Sequence, residues 1–123
     1  LSQSVGIGCD IFLSPNTARR NAGLRFESVV EEVMTNLGFA HDNISFRIPV
    51  ENTEDEWTCR SDMVFGTNDQ VQSSRQDVDE DEVVTSIKTS SKDRATKIFT
   101  DKWIMSKLLG REIPHVALFL NDV

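Results

Sequence analysis

Cysteine is scarce in this chain. Cys9 and Cys59 are the only two in 123 residues, and their spacing is not that of a metal-binding pair. A CxxC site is excluded, and both read as free thiols in a reducing compartment. Long apolar runs are also lacking: none approaches the roughly 18 residues that a membrane span requires. Leu1 to Leu13 has no basic n-region, so no signal peptide is recognisable. The two histidines, His41 and His115, lie too far apart in sequence to suggest a site, and His115 beside Pro114 reads as structural.

Basic charge is in short supply as well. Thirteen Lys and Arg against 20 Asp and Glu give a net charge of −7, which at first counts against a nucleic-acid partner. The distribution weakens that objection. Glu51, Glu54, Asp55 and Glu56 form one acidic cluster, and Asp77, Asp79, Glu80, Asp81 and Glu82 form another. Lys88, Lys92, Arg94, Lys97, Lys102, Lys107 and Arg111 then make the carboxyl-terminal third locally basic, and the local field governs docking on phosphate.

What is present fits a single soluble domain over residues 1–123, with a hydrophobic fraction of 38% and a charged fraction of 27%. The chain starts at Leu1 rather than Met and stops at Val123 directly after a strand pattern. Both features raise the expectation of a fragment or subunit of something longer.

Ser14-Pro15 predicts a helix start, with Asn16 to Ala22 as a separate polar turn. Gly23 to Leu37 is the clearest helix. Phe26, Val29, Val30, Val33, Met34 and Leu37 make one apolar stripe, and Gly38 suits the C′ position. Ile44 to Val50 alternates as a strand, and Trp57 to Phe65 reads as a second. Gly66 to Glu82 is polar, without an apolar pattern, and reads as a long mobile hairpin connection. Val83 to Lys88 is a third strand. A second helix runs from about Asp93 to Leu109, closed by Gly110, with apolar residues most of the way round, so burial on several sides is expected. Pro114 to Leu120 is continuously apolar and reads as a central strand. The fold class expected is α/β, a mixed central β-sheet flanked by helices in the order αβββαβ, with a parallel pair at the last crossover.

Phosphodiester hydrolysis needs a nucleophilic water, neutralisation of the phosphate charge, and help for the leaving alkoxide. A hard cation held by carboxylates supplies these. Asp62 near the end of one strand and Lys88 at the end of the next are placed to share a cleft. Asp101 follows on the second helix, close to its apolar seam. Each has a plainer alternative: Asp62 capping a turn, Lys88 as a solvated strand end, Asp101 pairing with Lys97 or Lys102. Cys59 reads as core rather than nucleophile.

Asp62 followed by Ser86-Ile87-Lys88 resembles the PD-(D/E)xK nuclease signature, and the element order is similar to that family's core, the restriction-endonuclease-like fold. Ser61 stands where the family often has Pro, and Ser86 where its second acid would be. A branch of type II restriction endonucleases that read CC…GG sites has this substitution. In that branch the acid moves to the next helix, thirteen or fourteen residues beyond the lysine, where Asp101 stands here. The same branch carries a basic-acidic run after the lysine, matched by Lys88-Thr89-Ser90-Ser91-Lys92-Asp93-Arg94. The resemblance covers roughly residues 23–123. It implies a Mg²⁺-dependent, sequence-specific endodeoxyribonuclease of a prokaryotic cytoplasm, with Mn²⁺ as a substitute metal. Asp62 and Asp101 would be metal ligands and Lys88 the catalytic lysine, with Glu27 of the first helix supporting a second metal or its water. Lys92, Asp93 and Arg94 would read base edges, since Arg and Lys donate to guanine and Asp accepts from the cytosine amino group. Double-strand cleavage implies a homodimer or paired subunit acting on double-stranded DNA. The alternatives are a non-specific repair or recombination nuclease of the same fold, and an inactive DNA-binding or assembly module that has lost its metal.

Overall fold

The computed structural model describes residues 15–91 and 94–121. The fold is α/β, with a mixed four-stranded sheet, a second two-stranded sheet and two helices. The elements run α1 (Pro15–Asn36), β1 (Ala40–Asp42), β2 (Ser45–Pro49), β3 (Glu56–Arg60), β4 (Met63–Gly66), β5 (Glu82–Ser90), α2 (Ala95–Leu109) and β6 (His115–Asn121). The main sheet has the order β1-β4-β5-β6. β1 and β4 are antiparallel, as are β4 and β5, whereas β5 and β6 are parallel through the α2 crossover, as expected.

The two faces of this sheet have separate cores. Phe26, Val30 and Met34 of α1 pack on Met63, Phe65, Ile87 and Leu118. On the opposite face Val64 and Val84 meet Met105 of α2, Ile113, and the inward residues Phe46 and Ile48 of β2. Met63, Val64, Phe46, Ile48, Met105 and Ile113 are almost wholly shielded, and each such side chain contributes about 1.5–3 kcal/mol by burial. Both helices stop as their glycines dictate: Gly38 and Gly110 sit at positive φ, +86° and +71°. The Gly110 N–H closes the last turn of α2 on the Ser106 carbonyl.

Several expectations change. The turn expected over residues 16–22 is continuous with the first helix, since nothing from Pro15 to Asn36 interrupts the backbone ladder. Only half the apolar stripe of that helix is used: Val29, Val33 and Leu37 remain exposed. The single strand expected over 57–65 is two strands in different sheets. Residues 61 and 62 form the break, and alternation on either side of a break looks like one strand in sequence. β6 is an edge strand, not a central one. One face of its apolar run lines a cavity against α2 through Ala117 and Phe119, and the other packs Leu118 under α1 but leaves Val116 and Leu120 exposed. α2 likewise buries Ile98 and Met105 but leaves Phe99 and Trp103 71% and 63% exposed, with Lys107 lying over the Trp103 ring.

The connection between β4 and β5 is packed against the sheet. Val78 is fully buried in the second core, with Val71 beside it. Glu82, also fully buried, accepts hydrogen bonds from the backbone N–H groups of Gln72 and Ser73 and from the Ser73 hydroxyl. The Arg75 carbonyl accepts from the Arg47 N–H of β2, and Arg111 pairs with Asp77 at 3.4 Å. A Cβ on Gly66 would lie 2.7 Å from Glu82 Cγ, so glycine gives the carboxylate its room. No described helix is long and apolar enough to cross a membrane.

Candidate active site

The break at residues 61–62 fixes the first carboxylate. Ser61 is buried, and its backbone N–H and hydroxyl both donate to the Ile44 carbonyl, at 2.9 and 3.0 Å. The Ile44 N–H donates back to the Ser61 hydroxyl at 3.3 Å. This reciprocal clasp ends β3 and turns the chain into β4. A proline at position 61 could not supply the backbone donor.

β4 begins only at Met63, opposite Thr85, whereas β5 runs on to Ser90. The Ile87 N–H therefore points to where the β4 ladder has stopped, and Asp62 Oδ2 takes it at 2.8 Å. The same oxygen accepts from Lys88 Nζ at 2.8 Å, with the two side chains 17% and 32% exposed. Asp62 and Lys88 are thus brought together by the end of a ladder. Glu27 of α1 joins this group electrostatically. Burial first, and then the Asp62 charge, hold its carboxyl above the usual range, with Lys88 acting in the opposite sense.

Asp101 lies on α2, where Lys97, one turn earlier, donates to its Oδ2 at 2.6 Å. The plainer pairing weighed from the sequence is therefore present. Lys97 is held above the usual lysine range, chiefly by this hydrogen bond. Cys59 of β3 lies within the electrostatic reach of Asp101. Burial and that carboxylate push its thiol up to about 11, so it is protonated at neutral pH and no nucleophile. The charges of Asp62 and Asp101 both act on Cys59, Lys97 and His115.

Ser86, in the position of the missing acid, bonds to His115 Nε2 at 2.9 Å. His115 follows from the parallel register: Val84 pairs with His115 and Ser86 with Ala117, so these residues share one face. Its Nδ1 is buried without a hydrogen-bond partner, and burial lowers its pKa, leaving the ring neutral at pH 7. Sequence distance gave no sign of this contact, since it arises only after sheet order is known. The Asp101–Lys97 spacing of four on a helix was the one legible signal. His41 instead meets Thr35 at 2.9 Å, remote in sequence from these groups.

Arg94 is exposed and occupies the N-cap of α2 with no side-chain capping bond. It lies seven residues before Asp101 on the same helix, about 10 Å along the axis. Lys92 and Asp93 lie outside the described residues.

Comparison with protein-family models, with curated proteins and with solved structures finds no match to the chain. Among the described residues no group of three or more His, Cys, Asp and Glu is arranged to hold a metal ion. A dedicated protein cage is therefore not what these side chains form. The hard oxygens of Asp62 and Asp101 do suit Mg²⁺, which keeps several waters and commonly takes only one or two protein carboxylates.

Proposed function

We propose that the chain is a Mg²⁺-dependent endodeoxyribonuclease, of the type II restriction class that its sequence resembles, hydrolysing phosphodiester bonds in double-stranded DNA. The observation that carries the reading is the grip of Asp62 Oδ2 on both the Ile87 N–H and the Lys88 ammonium, with Asp101 in charge reach of the same region. A carboxylate and a lysine fixed at one sheet end, beside a second carboxylate, are the parts that phosphodiester hydrolysis needs.

Asp62 and Asp101 would hold the cation, whose chemistry is to neutralise the phosphate and acidify a water. Lys88 donates, orienting the attacking water and meeting the charge that grows on the non-bridging oxygens. Water gives up a proton to the surrounding solvent as its oxygen adds to phosphorus, the bond from phosphorus to the leaving alkoxide breaks, and solvent protonates that alkoxide. Glu27, on the α1 side, would hold a water or a second cation; a positive charge there would lower its raised pKa. Arg94 at the start of α2, with Lys92 and Asp93, would contact base edges. Cutting both strands calls for two such sites, in a homodimer or with a paired subunit.

The Ser86–His115 bond favours a second reading, a DNA-binding or assembly module of the same fold without cleavage, because it occupies the position of the missing acid. Incubation with plasmid DNA and Mg²⁺, followed by mapping of the ends, separates the readings. Fixed-sequence cuts on both strands are expected. Scattered ends would indicate a non-specific nuclease. Intact plasmid in both Mg²⁺ and Mn²⁺ would leave the module.

A further inference from the structure

We infer that Lys97 is a resident counter-cation of Asp101, and that a divalent metal binding at Asp101 Oδ2 displaces it. The inference rests on the nuclease reading. Lys97 Nζ lies 2.6 Å from Asp101 Oδ2, in contact with an oxygen assigned to the metal. A Mg²⁺–oxygen bond is about 2.0–2.1 Å long, so cation and ammonium cannot occupy the same side of that oxygen. They also repel each other.

The two partners are unequally held. The Asp101 side chain is 19% exposed, whereas the Lys97 side chain is 73% exposed. The ammonium is on a flexible four-carbon stem at the solvent side, so it is the member that leaves. The helix itself does little to favour the pair, because a lysine placed four residues before an acid is the weaker orientation. What holds Lys97 is chiefly its hydrogen bond to Asp101, with Asp62 contributing to the same field. Metal entry removes that attraction and frees the ammonium for a phosphate.

The test is Mn²⁺ binding to the full chain without DNA, read by calorimetry and by the spin-resonance signal of free Mn²⁺. Lys97→Gln is expected to tighten Mn²⁺ about twofold to fivefold, the range of an exposed ion pair. Lys97→Arg, which keeps the cation, should bind as the unaltered chain does. In the Asp101→Asn background Lys97→Gln should change nothing. Unaltered circular dichroism is expected for both Lys97 variants, since the side chain is mostly solvated. Equal or weaker Mn²⁺ binding by Lys97→Gln, with Asp101→Asn still harmful, would overturn the inference and leave the nuclease reading intact. An equal gain with and without Asp101 would reduce Lys97 to a general charge effect and overturn it too. Absence of Mn²⁺ binding in every variant would end both readings.

Discussion

Strand β5 meets a carboxylate near each end, and the two are held differently. At its start Glu82 is fully buried and takes two backbone N–H groups and a hydroxyl from residues 72 and 73. Near its end Asp62 is partly exposed and takes one backbone N–H and one lysine ammonium. Donors fixed in the backbone make a carboxylate a structural clamp, because nothing else can take their place. A lysine partner is movable, so the carboxylate can be re-partnered by a cation or a substrate water. Asp101, held by a solvent-exposed lysine, belongs with Asp62. The contrast separates acids that build the fold from acids available for chemistry.

Substitution at the movable end should carry the largest effect. Asp62→Asn keeps an oxygen for the Ile87 N–H but loses the charge. Its cleavage rate should fall on the order of a thousandfold or more, equivalent to several kcal/mol of transition-state stabilisation. Urea denaturation should move by less than about 1 kcal/mol. The reverse is expected at the clamped end. Glu82→Gln turns an NH₂ group toward buried donors, and stability should drop by about 2–4 kcal/mol in the same denaturation experiment. If the two variants lose stability equally, the distinction between the ends fails.

A third substitution sharpens the comparison at the DNA side. Arg94→Ala should cost about 1–3 kcal/mol on a cognate duplex and much less on a scrambled one, measured by competition at fixed salt. Equal losses on both would make Arg94 a backbone contact.

The smallest effect concerns Glu27. Its folded-state pKa is raised by burial and by Asp62, so the fold binds its proton more tightly than the unfolded chain does. Its contribution is therefore most favourable at low pH and declines as pH rises from the ordinary value of 4.5 through the raised one. Glu27→Gln should stabilise the chain slightly at pH 7, and the gain should vanish below pH 4.5. Denaturation midpoints at the two pH values check this, and a loss at pH 7 would contradict it.

Much of this arrangement was legible in the sequence for physical reasons. Lys88 ends a β-branched run, Gly38 and Gly110 mark helix ends, and the α2 crossover forces β5 and β6 parallel. Each is a local or chain-connectivity constraint. The rest depended on non-local pairing. The break at Ser61–Asp62 is stabilised by Ile44, seventeen residues away, and the Ser86–His115 contact spans twenty-nine. The packed β4–β5 connection was hidden because its anchors are one valine and one buried glutamate in a stretch that reads as solvated. The edge position of β6 was hidden because an apolar run records burial by a helix as readily as burial between strands.

The most direct test of the account is single-turnover cleavage of plasmid DNA by Asp101→Asn over a range of Mg²⁺ concentrations. The account predicts near-complete loss of cleavage that added Mg²⁺ does not restore, in a variant that still folds. Near-normal cleavage at ordinary Mg²⁺ would contradict it, because the metal would then have to be held by another carboxylate.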